Sequence, residues 1–300
     1  MSFYRPVPSQ QIRSIRLSLL AIGGGIALVA ALSGPPVNAN HEHAPPLLPR
    51  PELLITLGNA QRHMLADYYW VLTTEATGRA SNRYEYRDIA DYAELVSDLD
   101  PNFRYTYVFA GVSVPYNLGR ETWVNTEEST RILKKGFVLF PDYVYLRIVL
   151  AYNLSYFQKE YQKAADILRD TVRLPMAPKY LSELATRLYA QAGAIDAGLT
   201  LAHSLFQNAP DPSTREAFEL RTRELLLERE LQKLDQAIAE FRNQKGRRPD
   251  TLFELVSAGI VHEIPADPLG GAIVIGPDGR SHSTVAGNHR LEVYDARKLN

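Results

Sequence analysis

Apolar residues recur along most of the chain at the three-and-four spacing of a helix, and prolines cut the pattern into similar lengths. Leu65, Tyr69 and Leu72 share one helical face, with Trp70 beside it. Ile89, Tyr92, Ala93 and Val96 repeat the pattern after a short break. Prolines stand where such runs end, at Pro101, Pro141, Pro175 and Pro210, spaced 40, 34 and 35 residues apart. Over 214–243, Leu220, Leu227, Leu231, Leu234 and Ile238 line one side of a long helix laced with Glu and Arg, and Gly246 stops it. The period then shortens. Asp250 or Thr251 caps a short helix ending at Gly259, and short stretches at 272–275 and 281–285 flank Gly276-Pro277-Asp278-Gly279 as a β-hairpin. The pattern predicts an all-α chain with a small α+β cap.

The N-terminus differs. Residues 17–32 carry no charge, Arg5, Arg13 and Arg16 precede them, and no Lys or Arg follows until Arg50. That asymmetry keeps the N-terminus cytoplasmic and exports the rest. Sixteen residues span roughly 24 Å of a ~30 Å hydrocarbon core, so Ile12 and Ile15 are needed to reach across. Residues 12–33 thus read as a single-pass anchor in a bacterial inner membrane. Val37-Asn38-Ala39 also suits a signal peptidase, and the competing reading is a soluble periplasmic protein after cleavage. The segments expected are a leader and membrane or signal helix at 1–33, a Pro-rich linker at 34–51, a helical array at 52–210, a long capping helix at 211–245, and a helix-plus-hairpin tail at 246–300.

A period near 34 is the length of a helix–turn–helix solenoid unit. Small residues fall where paired helices approach: Gly136 before Pro141, Ala164 before Pro175, and Gly193 and Gly198 before Pro210. The prolines start the next helix after a short turn. The stretches from Tyr161 through Ala164 to Pro175, and from Tyr189 through Gly193 to Pro210, resemble the tetratricopeptide repeat, over residues 67–210. Asn153 and Thr186 depart from the small residues that family prefers, and the first unit has extra residues around Glu121 to Thr126. The resemblance implies a helical solenoid whose first helices line a groove for a protein partner. Farther on, Gly246, Pro249, Leu252, Leu255, Val256, Pro265, Asp267, Pro268, Gly270 and Gly279 resemble the C-terminal half of type II secretion major pseudopilins. The helix ahead of them is not a pilin's polymerising helix, so this resemblance implies a cap, not entry into a filament.

Charge and composition remove function classes. Lys plus Arg is 33 against 34 Asp plus Glu, which disfavours a nucleic-acid partner held by phosphate contacts. The absence of cysteine excludes disulfides, thiolate metal sites, cysteine nucleophiles and a lipoprotein anchor. His41-Glu42-His43 offers two imidazoles in a linker with no third ligand. His262-Glu263 runs into Pro265 and cannot form a metalloprotease helix. No Gly-rich phosphate loop or nucleophile elbow is present. The expectation is therefore a non-enzyme with no catalytic residue, no metal and no cofactor.

Fifteen of the 17 tyrosines fall between Tyr68 and Tyr189, which makes the array the aromatic part of the chain. Packing between short helices accounts for such enrichment. An aromatic groove is the sharper alternative, with Tyr105, Tyr107, Tyr143, Tyr145, Tyr152 and Tyr156 as candidates on the first helices of two successive units. The expected function is a cell-envelope scaffold that holds a protein partner during assembly of a secretion, pilus or polysaccharide-export machine. The alternative is an accessory glycan-binding subunit or enzyme acting on envelope polysaccharide. The sequence assigns no oligomeric state.

Overall fold

The computed structural model describes residues 43–287 and 289–293; the membrane or signal segment and linker residues 34–42 lie outside the described residues. The chain divides into two units, Met1–Pro45 and Pro46–Asn300, and the described helices and strands all belong to the second. The structure is mostly helical, 63% helix and 4% strand, an all-α architecture. Among the described residues, no helix is long and apolar enough to cross a membrane.

Helix α1 (Pro51–Leu57) leads through a short turn into a run of helical hairpins: α2 (Arg62–Arg79) with α3 (Arg83–Leu99), and α4 (Arg104–Ser113) with α5 (Thr126–Leu139). Next come α6 (Val144–Tyr152) with α7 (Tyr161–Thr171), and α8 (Tyr180–Gln191) with α9 (Ile195–Gln207). The long α10 (Pro212–Lys245) follows. Each helix from α2 to α10 packs on its neighbours in the chain, and α3 reaches α5 as α4 reaches α6. One continuous core, from Ile89 to Leu201, runs through these hairpins.

The helix ends follow local chemistry. Asn82 caps α3 by accepting from the Tyr84 and Glu85 amides, while the Glu85 carboxylate accepts from the Ser81 amide and hydroxyl. Pro212 opens α10 behind the Asp211 cap, and Gly246 closes it at φ +71°. None of Pro141, Pro175 and Pro210 is itself helical, so these prolines punctuate the turns rather than start the next helix.

Where α4 crosses α5 the backbones are in close approach. A Cβ on Gly136 would lie 2.5 Å from the Tyr107 ring, and one on Gly111 would lie 2.6 Å from Leu133. Gly198 is snug against Tyr189 and Leu225, and Ala164 is fully buried. Gly193 differs from the packing role expected of it. It sits in the α8–α9 turn at φ +73° with open space around it, so left-handed backbone is what demands glycine there.

The extra residues of the second hairpin form a minimal β-ribbon, β1 (Tyr116–Asn117) against β2 (Trp123–Val124). After α6 the chain continues as a π-helical turn, Asn153–Phe157. The buried Asn153 amide donates to the Gly111 carbonyl and the Ser129 hydroxyl, tying α4, α5 and α6 together.

The end of the chain is built on α10. Leu227, Leu231, Leu234, Ile238 and Phe241 form a second core with Leu252 and Leu255, around the short helix α11 (Phe253–Ser257), and with Ile273. Strands β3 (Ile273–Ile275) and β4 (Ser281–Ser283) pair antiparallel, as the hairpin reading expected. The charged side of α10 is not uniformly solvated. Glu228 and Arg290 are each 3% exposed at the side chain and join through two parallel bonds of 3.0 and 2.9 Å. Arg290 also reaches Asp235 at 2.9 Å, and the Leu291 and Gln232 donors complete the shell around Glu228. Burial pulls the Arg290 proton affinity down, but Glu228 and Asp235 outweigh it and raise it above the ordinary value. Residues 290–293 then run onto the last hairpin. Arg187 donates to the Glu292 carbonyl, and the Val293 amide donates to Gln191.

Candidate functional site

The six candidate tyrosines separate by helical phase. Tyr105 and Tyr145 each sit second in their helix, forty residues apart, and are 52% and 51% exposed. Tyr143, just ahead of α6, is partly buried under the Arg104 guanidinium, 5.1 Å from the ring centre. Tyr152 is exposed at the end of α6, and Tyr156 follows in the π turn. Tyr107 cannot belong to any groove, which corrects the sequence reading. It lies two positions after Tyr105, on the opposite side of α4, and is fully buried against Gly136. Its hydroxyl donates to the Pro101 carbonyl at 3.0 Å. Burial, reinforced by Asp98 and Asp100, pushes its pKa up to about 12.

The repeat signal is sharpest at that position. Arg147 stands in α6 where Tyr107 stands in α4, and it likewise donates to a proline carbonyl six residues back, that of Pro141. It also donates to the Thr171 hydroxyl and the Ile167 carbonyl, and it stacks on Phe137. Burial lowers the proton affinity of this guanidinium, which is held by neutral oxygens and a ring.

A second feature lies at the ribbon and the π turn. Tyr152 and Tyr156 stack at 5.3 Å with 15° between their planes. Trp123 meets Phe157 at 5.2 Å and Tyr156 edge-on at 6.2 Å. Glu121 accepts from the Tyr156 hydroxyl, and the Lys159 ammonium lies 5.2 Å from the Tyr156 ring centre. Arg120, Glu121, Asn125 and Lys159 all hold left-handed backbone at φ between 49° and 61° without being glycine. Such strain persists only where surrounding packing enforces it. Here it bounds the aromatic cluster on both sides.

Phe157 links this cluster to a shallow, open cleft of about 600 Å³ along α5. Glu127, Arg131 and Lys134 rise from one face of the helix, with Gln158 opposite. Arg131 is paired with Glu94 at 2.6 Å, whereas Glu127 and Lys134 hold no ion pair among the described residues. The sequence flagged the surplus residues 121–126 but not the cleft. A π turn has no compositional signature, and Trp123 falls outside every helical period.

No group of three metal-binding side chains occurs among the described residues, and His41 and Glu42 lie outside them. Comparison of the chain with family models, with curated proteins and with solved structures gave no match.

Proposed function

We propose that this chain is a non-enzymatic scaffold of the bacterial cell envelope. Residues 12–33 hold it at the inner membrane, and a tetratricopeptide-like array of hairpins in the periplasm binds a protein partner. The observation that carries the reading is the repeated exposure of Tyr105 and Tyr145. Each ring is half in solvent at the same position of consecutive hairpins, while the residue two positions on, Tyr107 or Arg147, turns inward and fastens the turn. Large aromatics on a surface gain most from burial against a partner, because they carry much contact area on few rotatable bonds. Stacked hairpins suit such a task, since each unit supports the next and the array presents a long face.

The test is crosslinking in intact cells followed by identification of what is held. A Tyr105→Ala/Tyr145→Ala chain should lose its partner while its circular dichroism stays that of the parent. Retention of every partner by that variant refutes the tyrosine-face reading.

A further inference from the structure

The cleft beside the π turn is lined by neither Tyr105 nor Tyr145, and its chemistry is different. We propose that it is a binding site for a neutral, β-linked oligosaccharide, independent of the protein partner taken by the scaffold. Three observations lead there.

The first is shape. At about 600 Å³ and widely open, the cleft suits an extended ligand lying along α5 better than a molecule to be engulfed. The second is the polar lining. Glu127, Arg131 and Lys134 step along the helix at about 6 and 4.5 Å of rise, comparable to the advance of one pyranose unit. Glu127 accepts, Lys134 and Arg131 donate, and Gln158 does both, which is the alternation a row of hydroxyls requires. Arg131 is paired with Glu94 and Glu160 with Lys163, and Glu127 balances Lys134, so the site offers a strongly charged ligand no net attraction.

The third is the wall. Phe157 is buttressed by Trp123, Tyr152 and Tyr156 at 5.2 to 5.7 Å, and the π turn and strained ribbon fix the assembly. A rigid aromatic plane beside a row of hydrogen-bonding groups matches a pyranose ring, which has an apolar C–H face and a polar rim. A peptide would look for a deep apolar anchor pocket or a free sheet edge. The cleft has no deep pocket, and the adjoining strands are two residues long.

Only Trp70 and Trp123 are tryptophans, so a Trp70→Phe chain reports on Trp123 alone, 5.2 Å from Phe157. Titration of that protein with cellohexaose and with chitohexaose should give a saturable change in Trp123 emission for at least one of them at millimolar concentration or below. Phe157→Leu, which keeps apolar bulk but removes the ring, and the exposed change Glu127→Gln should each weaken binding by about tenfold. Tyr105→Ala should leave it unchanged. The proposal is overturned if neither sugar gives a saturable signal, or if the Phe157 and Glu127 variants bind as the parent does. Occupation of the cleft by a peptide library in place of either sugar overturns it too. The scaffold reading survives each of these failures, since its own test uses the tyrosine variants.

Discussion

Replacing Arg290 by Met would leave the Glu228 carboxylate 3% exposed and without its counter-charge. Four hydrogen bonds go with the guanidinium: two to Glu228, one to Asp235 and one to the Ser281 carbonyl. Removing one member of a buried pair costs about 3–5 kcal/mol, most of it the burden of the stranded charge. That is a large fraction of the ~5–15 kcal/mol that holds a typical domain. Glu228→Gln/Arg290→Met removes both charges and keeps an acceptor for the Gln232 and Leu291 donors. The double variant should therefore be more stable than Arg290→Met alone, with a coupling of about 2 kcal/mol or more. Hydrogen exchange on peptides covering 225–241 and 273–291, followed through a urea series, reads the loss where it occurs. Trp70 and Trp123 emission tracks the other end of the array and should change little, because neighbouring units couple only locally. An Arg290→Met deficit below about 1 kcal/mol, or a double variant as unstable as the two single losses added, would refute the argument.

Further tests probe the fold and its response to acid. Gly136→Ala places a methyl 2.5 Å from the buried Tyr107 ring, so overpacking of about 1–3 kcal/mol should outweigh the ~1 kcal/mol gained in helix propensity. Gly78→Ala, which meets nothing within 4 Å, should instead stabilise by about 0.5 kcal/mol in the same denaturation assay. Burial pulls the Asp235 pKa upward, but the Ser281 amide and hydroxyl and the Arg290 guanidinium prevail and hold it below the ordinary carboxylate value. Its contribution is thus complete above the unfolded pKa near ~3.9 and is lost as pH falls through the lower folded value. Exchange protection of β4 should fade below about pH 4, and an Asp235→Asn chain should show a flatter acid profile.

The helical hairpins were legible because apolar spacing and proline both repeat, and these are local signals. The abundance of tyrosine does not place Tyr107: residues two apart lie on nearly opposite sides of a helix, so Tyr105 and Tyr107 cannot both face a groove. Gly193 is ambiguous for a related reason, since a close helix contact and a left-handed turn both call for glycine. The long-range features were out of reach. Nothing near Glu228 announces a partner 62 residues later, and its helix reads as a solvated charged face until the tail folds over it. The cleft needed the π turn, which the register of α6 alone does not reveal.

The position of Arg290 in the chain has a consequence for how the molecule is made. Residues 290–293 leave the ribosome after α8, α10 and the β3–β4 hairpin, all of which they fasten. Until they arrive, the Glu228 carboxylate has a site but no cation, and the second core cannot close over it without burying a bare charge. A chain lacking residues 290–293 would carry every hairpin yet leave Glu228 and the inner side of α10 open to water and to proteases. These four residues thus couple α8, α10 and the β3–β4 hairpin, so the closure of the second core depends on a segment remote in sequence from the helices it joins.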